Sequence, residues 1–163
     1  VLPHPHWSGK RPGSTVHPAG RPPCYTTLDD ATARRLEAIR NSHVNKGWAD
    51  VGYHYAIDPA GRAWACRPET LQGAHVKNYN PGNLGVLVPG NNEEQRPTAA
   101  SLAALDRLIA SKVGRHRLAI NSVYTHREWA RTACPGRHLQ AHMQTARANG
   151  GAIAQAMASL ASA

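Results

Sequence analysis

Two residues with the chemistry of soft metal ligands, His126 and Cys134, lie near each other in the last third of this 163-residue sequence. Seven residues separate them, and Pro135 and Gly136 follow the cysteine directly. Imidazole nitrogen and thiolate sulfur are both common zinc ligands, and a catalytic zinc site normally combines three protein ligands with one open position for water. The spacing therefore predicts part of a zinc site, whose third ligand must come from another segment.

A histidine far upstream, His17, lies where a short strand is expected to end. It closes the β-branched run of residues 14–17, and Pro18-Ala19-Gly20 follows. Such a run predicts a strand that ends at a loop. Because site residues often lie on loops, His17 is a candidate for the third ligand.

Hydrophobic periodicity predicts the elements that would position these residues. Apolar spacing and end residues predict helices over residues 29–45 and 99–113, the first beginning near a possible cap at Thr27. Strands are predicted as a hairpin, 51–58 with 62–66, and as the runs 84–88 and 121–125. Strands separated by helices predict an α/β fold, with a central mixed β-sheet flanked by α-helices.

Length and composition predict one domain spanning residues 1–163. Residues 1–13 read as an irregular lead-in that resembles no signal peptide, and residues 140–163 as an Ala-rich, helical tail interrupted at Gly150 and Gly151. No apolar run is long enough to predict a membrane span. The three cysteines cannot all pair with one another, and a pairing of Cys24 with Cys66 stays open.

The net charge of +9 and the pI of about 10.1 predict an anionic partner. Nucleic acid, an anionic membrane and an anionic cell wall all satisfy that prediction. The basic residues are spread along the chain instead of forming a block, and Arg115 to Arg117 is the best candidate for a nucleic-acid contact. We therefore expect no specific nucleic-acid partner.

Several segments, in this order and at these intervals, resemble the zinc-dependent N-acetylmuramoyl-L-alanine amidase family, which includes phage amidase endolysins and peptidoglycan recognition proteins. The resemblance extends over about residues 15–139. The matching pieces are Thr15-Val16-His17, residues 39–43, Gly47-Trp48-Ala49-Asp50-Val51-Gly52-Tyr53-His54-Tyr55, Gly73-Ala74-His75-Val76 with Tyr79-Asn80, Leu84-Gly85-Val86, and His126-Arg127-Glu128 with Thr132-Ala133-Cys134-Pro135-Gly136.

The resemblance implies a Zn²⁺ site made by His17, His126 and Cys134. It also implies a catalytic role for Tyr53, whose phenol would bond to the attacking water or to the developing oxyanion, and a hydrogen bond from Thr132 to that oxyanion. One departure concerns the first ligand, because Pro18 follows His17 where many relatives have a second histidine. The rivals for the position of third ligand are His43, His54 and His75.

Substrate contact is predicted for His75 and Asn80, in the segment expected to border the groove. Among the tryptophans, which favour packing roles, Trp64 is the best surface candidate for a sugar contact. Glu128 has two open interpretations, as a carboxylate that orients a ligand or as an acid at a helix start.

The activity implied by the resemblance is hydrolysis of the amide between N-acetylmuramic acid and L-alanine in bacterial peptidoglycan, as in a phage endolysin catalytic domain. Such a protein acts on the cell wall, where its positive charge would attract anionic wall polymers. A phage endolysin would be made in the host cytoplasm and released at lysis. Two alternatives are a peptidoglycan-binding module without catalysis, which Cys134 disfavours, and a basic nucleic-acid-binding domain, which rests on charge alone.

Overall fold

A five-stranded mixed sheet forms the centre of the computed structural model, which describes residues 29–162 and, through its backbone alone, residues 14–19. The strands are β1 (Ser14–Ala19), β2 (Tyr55–Ile57), β3 (Ala63–Ala65), β4 (Leu84–Pro89) and β5 (Val123–Thr125). Their spatial order is β3-β2-β4-β1-β5. All neighbouring pairs are parallel except β2 with β3, which form the predicted hairpin. The predicted strand bounds are too wide, because only 55–57 of residues 51–58 and 63–65 of residues 62–66 are strand, and a 3-10 helix, Ile120–Ser122, replaces the start of the predicted strand 121–125.

Four α-helices flank this sheet within the described residues. They are α1 (Asp29–Val44), α2 (Ala99–Arg115), α3 (Arg137–Ala146) and α4 (Ala152–Ala161). Thr98 starts α2 as predicted, because its side chain accepts a hydrogen bond from the Ser101 amide. The predicted α/β fold is thus confirmed, although α3 begins at Arg137, earlier than the predicted start of the helical tail. The predicted lead-in, the cap at Thr27 and Cys24 lie outside the described residues.

The hydrophobic core lies between the parallel strands and the later helices. All six residues of β4 are buried, as expected for a central strand covered on both faces. Apolar side chains of this strand join the predicted stripe of α2 and the inner faces of α3 and α4. The fully buried members of this core include Leu84, Leu105, Ile109, Val113, Leu139, Met143 and Ile153. No helix in the described part of the chain is both long and apolar enough to cross a bilayer.

A charged network around Glu69 links the segment after β3 to α2. The Lys112 ammonium lies 2.7 Å from Glu69 Oε1, and His116 Nε2 lies 3.1 Å from Oε2. The Tyr55 hydroxyl donates to Glu69 Oε1. Burial by itself would raise the pKa of the Glu69 carboxyl, but hydrogen bonds from Lys112 and Tyr55 outweigh burial and lower this pKa to about 2.

We expect the Glu69→Gln substitution to lower the free energy of unfolding by about 2 kcal/mol at neutral pH, since it removes the charge from a mostly buried network. Because the folded-state pKa lies below the ordinary value of 4.5, this stabilisation is present above about pH 4.5 and is lost as the pH falls toward 2. Urea unfolding of both proteins across this range measures the difference. The control Glu94→Gln alters an exposed carboxylate, and an equal loss there would contradict the prediction.

Candidate metal and catalytic site

Strand register brings the backbones of His17 and His126 together. In the parallel pair of β1 and β5, Val16 lies opposite Thr125. His17 follows Val16 and His126 follows Thr125, so the backbones of the two histidines are neighbours although more than a hundred positions of sequence separate them. The structure describes His17 through its backbone only. The pairing of β1 with β5 therefore brings the backbone of His17, the predicted third ligand, next to the backbone of His126.

A short 3-10 turn, His126–Glu128, begins on the second predicted ligand. Thr125 caps this turn, and the Glu128 carboxylate accepts hydrogen bonds from both the backbone N–H and the hydroxyl of Thr125. The Arg147 guanidinium forms a two-pronged ion pair with the same carboxylate, with both N–O distances at 3.0 Å. Glu128 therefore acts at a helix start, and it fixes the turn that carries His126. The pattern Thr125-x-x-Glu128 is a capping-box sequence, so this feature could have been found without the structure.

Two hydrogen bonds to nearby side chains hold the segment around Cys134 in place. The Cys134 N–H donates to Thr132 Oγ1 at 3.2 Å, so the Thr132 hydroxyl proton is not used in this contact. The Arg127 guanidinium donates to the Ala133 carbonyl at 2.6 Å and closes the loop between the two predicted ligands. After a cis peptide bond between Cys134 and Pro135, the chain enters α3 through Gly136.

Gly136 packs directly on the loop of Asn92 and Glu93. The N–H of His138 donates to the Asn92 carbonyl at 3.1 Å, and the N–H of Arg137 donates to Glu93 Oε2 at 2.8 Å. A Cβ atom on Gly136 would lie 2.3 Å from the Asn92 carbonyl carbon, and its φ of +91° disfavours any L side chain. The sequence shows that Pro135 and Gly136 interrupt the chain after Cys134, but only the fold shows that Gly136 packs on the loop of Asn92 and Glu93.

We expect Gly136→Ala to destabilise the protein by about 2–4 kcal/mol and to displace Cys134, because both the steric contact and the positive φ oppose a side chain here. Thermal or urea unfolding measures the loss. Gly114→Ala is the matched control, since Gly114 lies in α2 where an added Cβ would meet no atom within 4 Å, and there alanine should stabilise by about 0.5–1 kcal/mol. Equal stability of the Gly136→Ala protein and the parent would contradict the packing described.

Tyr53 lies among histidine rings and within electrostatic range of Cys134. Its ring centroid is 5.6 Å from that of His43 and 6.4 Å from that of His75. Burial, and in second place the negative charge that a Cys134 thiolate would carry, raises the pKa of the Tyr53 phenol far above its usual range. The phenol therefore keeps its proton at neutral pH and can donate a hydrogen bond, as the predicted role requires.

The two predicted substrate-contact residues of the 73–83 segment help to build its loop. His75 is buried, with Nε2 at 3.2 Å from the Asn83 carbonyl, and burial together with the neighbouring His54 lowers its pKa well below the ordinary value. The Asn80 carboxamide oxygen accepts hydrogen bonds from the N–H groups of His75 and Val76, both at 2.8 Å. Contact of His75 and Asn80 with substrate stays a prediction.

Two other rivals for the third ligand position have hydrogen bonds to the backbone. His43 Nδ1 accepts from the Gly52 N–H at 3.1 Å. His54 Nδ1 accepts from the Gly85 N–H at 2.9 Å, while Nε2 lies 3.0 Å from the Leu71 carbonyl. Burial lowers the pKa of the His54 imidazole to about 4, so this ring is neutral under ordinary conditions. These contacts support structural roles for both residues.

Trp64 lies on the edge strand β3, apart from the strands that carry His17 and precede His126. Strands β2 and β4 separate it from β1 and β5. Its indole N–H donates to Asp58 Oδ2 at 2.9 Å, and it lines a cavity of about 310 Å³ together with Leu36 and Cys66. The structure thus places Tyr53 near Cys134 and places His75 near both Tyr53 and His126, whereas Trp64 lies at the opposite edge of the sheet from β5, and its sugar contact stays a prediction.

Comparison with known proteins identifies the family of this chain. A profile of the N-acetylmuramoyl-L-alanine amidase family matches residues 10–137, which include both predicted ligand segments. The chain belongs to this family. It is 30% identical over 131 residues to peptidoglycan-recognition protein SC2 of Drosophila melanogaster, covering 79% of the chain and 70% of that protein. It is 34% identical over 115 residues to the endolysin of Enterobacteria phage K11, covering 68% of the chain and 75% of the endolysin.

Solved structures of the amidase family share the fold. Drosophila PGRP-LB superposes with a TM-score of 0.74 at 28% identity, over 89% of this chain and 87% of the other. The N-acetylmuramoyl-L-alanine amidase LysC of Clostridium intestinale superposes with a TM-score of 0.69 over 88% and 94% of the two chains. At 20% identity the second likeness concerns the fold alone. The sequence-based resemblance to this amidase family is confirmed.

The described donor groups suit the zinc ion expected in an amidase of this family. Burial lowers the pKa of His126, so its imidazole is neutral and has a lone pair for a metal. Burial raises the pKa of Cys134, and a bound divalent cation would deprotonate such a thiol. Among the side chains that the structure describes, no three His, Cys, Asp or Glu residues form a metal-binding group, and the His17 side chain is not in that set.

Proposed function

We propose that this chain is a zinc-dependent hydrolase that cleaves the amide bond between N-acetylmuramic acid and L-alanine in bacterial peptidoglycan. The observation that carries the proposal is that a chain of the amidase family has His126 and Cys134 in the matched ligand motif and has Tyr53 near Cys134. The register of β1 with β5, which makes the backbones of His17 and His126 neighbours, supports His17 as the third ligand. When bound, the zinc ion would lower the pKa of a water molecule and polarise the scissile carbonyl.

The protein's own groups would divide the remaining work. His17, His126 and Cys134 would hold the metal, with two neutral imidazoles and one thiolate leaving a net charge near +1. The Tyr53 phenol, protonated at neutral pH, would donate to the oxygen that becomes negative as the carbonyl is attacked. Thr132, whose oxygen already accepts from the Cys134 N–H, would donate its hydroxyl proton to the same oxyanion. Both donors thus stabilise charge that appears only in the transition state.

Peptidoglycan as substrate is supported by the relatives. Structures related to this chain include a Drosophila PGRP-LB variant in complex with tracheal cytotoxin and a human PGRP in complex with a muramyl pentapeptide. The net charge of +9 would hold a small enzyme on a wall that carries anionic polymers. Relatives that are phage endolysins, from phages K11 and T7, support a role in cell wall lysis, and with it bacteriophage origin.

A second candidate is peptidoglycan recognition without hydrolysis. It is favoured by the several peptidoglycan-recognition proteins of Drosophila among the relatives. Against it stands Cys134, at the position that the family resemblance assigns to a metal ligand, and near enough to Tyr53 to affect its pKa. A recognition module needs neither a thiolate ligand nor a proton-donating phenol at this place.

Hydrolysis of purified cell walls tests the proposal. The zinc-loaded protein should release new N-terminal alanine, and chelation should abolish that release until zinc is restored. Metal analysis of the same preparations should find about one zinc per chain in the wild type and much less in His17→Ala. His4→Ala, in the predicted lead-in, is the control and should keep its zinc. Wall binding by the zinc-loaded protein without alanine release would favour recognition instead.

A further inference from the structure

Arg147, directly after the last residue of α3, connects that helix to the strand before His126 and to the turn that begins at His126. Its Nη1 donates to the Val123 carbonyl at 2.6 Å, and its Nε donates to the Met143 carbonyl at 3.0 Å. Both terminal nitrogens also contact the two carboxylate oxygens of Glu128. The Arg147 side chain is only 16% exposed. One guanidinium therefore connects α3, β5 and the turn after it.

Glu128 carries this connection to the residue that precedes His126. Its carboxylate accepts from the N–H and the hydroxyl of Thr125, which is fully buried. Thr125 in turn pairs with Val16 of β1. The direction in which the chain leaves β5 and enters the turn at His126 is thus fixed from the C-terminal end of α3.

The other end of α3 is fixed next to Cys134. The helix begins at Arg137, and its first N–H groups bond to Glu93 and to the Asn92 carbonyl. Cys134 lies three residues before this start. A single rigid helix of ten residues therefore has one end beside each of the two described ligands.

We propose that the two-pronged ion pair of Arg147 with Glu128, here called the clamp, is a positioning device that sets the placement of His126 relative to Cys134 and so tunes metal affinity. The inference rests on the proposed zinc site. Isolated surface ion pairs contribute little, but two-pronged geometry and simultaneous backbone contacts make this one stronger and more rigid. Partners that orient metal ligands typically alter metal affinity by about 10- to 100-fold when they are removed.

Three clamp variants test this positioning role. Glu128→Gln keeps an oxygen that can accept from Thr125 but removes the charge, Arg147→Met removes the guanidinium but keeps the aliphatic stem, and the third variant combines both. Competition with a chromophoric chelator gives the Kd for Zn²⁺, and the absorption spectrum of the Co²⁺-substituted protein reports ligand geometry. Each single variant should raise the Kd by about 10- to 100-fold. The Kd of the double variant for Zn²⁺ should be no higher than that of the weaker-binding single variant, because both changes break the same clamp.

The control is Asp106→Asn, which weakens another contact of α3, the 2.9 Å pair of Asp106 Oδ1 with His142 Nε2. It should lower the Tm without changing the Kd or the Co²⁺ spectrum. Clamp variants with a lowered Tm but wild-type Kd and spectrum would overturn the inference and leave the zinc site standing. A wild-type protein that binds neither metal would overturn the proposed function and this inference with it.

Discussion

Replacing Cys134 by serine is expected to lower kcat/KM for release of N-terminal alanine by about 10³-fold or more, together with loss of bound zinc. A serine hydroxyl does not replace the thiolate, because its proton is far harder to remove and its oxygen is a poorer ligand for zinc. Burial already raises the pKa of the Cys134 thiol, so the site depends on the metal to form the thiolate. Zinc content and cell-wall hydrolysis are measured on the same preparation.

Cys66→Ser is the matched control for this change. The Cys66 thiol is free and lies 3.7 Å from the Trp64 carbonyl, and burial raises its pKa to about 11. The strands β2 and β4 separate β3, which ends just before Cys66, from β1 and β5. This variant should keep its zinc and its activity. Substantial activity in a zinc-free Cys134→Ser protein would contradict the proposed mechanism.

Replacing Tyr53 by phenylalanine is expected to lower kcat by about 10²- to 10³-fold while the bound zinc remains. The change removes the hydrogen-bond donor that, in the proposed mechanism, stabilises the developing negative charge, and it keeps the ring near His43 and His75. Because burial raises the pKa of the phenol, loss of its proton should cause no fall in activity on the moderately alkaline side of the wild-type pH profile. Steady-state kinetics on soluble wall fragments separates kcat from KM.

Tyr55→Phe provides the comparison for Tyr53. The Tyr55 hydroxyl donates to Glu69 in the network that links to α2, so its removal should lower the free energy of unfolding and leave kcat unchanged. An equal loss of kcat in both variants would show that the effect comes from the fold and not from the phenol of Tyr53. A Tyr53→Phe enzyme with unchanged kcat would remove this residue from the mechanism.

The helices and strands could be predicted because their causes are local. Thr98 caps α2, and the apolar stripe ending at Val113 keeps helical spacing within a few turns of chain. The continuous apolar run of β4 is typical of a strand buried on both faces, and all of it is buried. The helical tail begins earlier than expected, at Arg137, because bonds to Asn92 and Glu93 satisfy its first N–H groups. Those partners lie more than forty residues away, where no local pattern indicates them.

By itself, the sequence determined the family and the α/β fold, because ordered motifs and hydrophobic periodicity are local properties of the chain. It also predicted the ligand pair His126 and Cys134 from their short spacing. Only the tertiary structure decided which distant segments meet. The register of β1 with β5 makes His17 and His126 backbone neighbours, and the burial of Tyr53 near Cys134 keeps its phenol protonated. The same packing gives Glu128 its place between Thr125 and Arg147. Such contacts depend on strand pairing and helix docking across the whole chain, which short-range propensities do not specify.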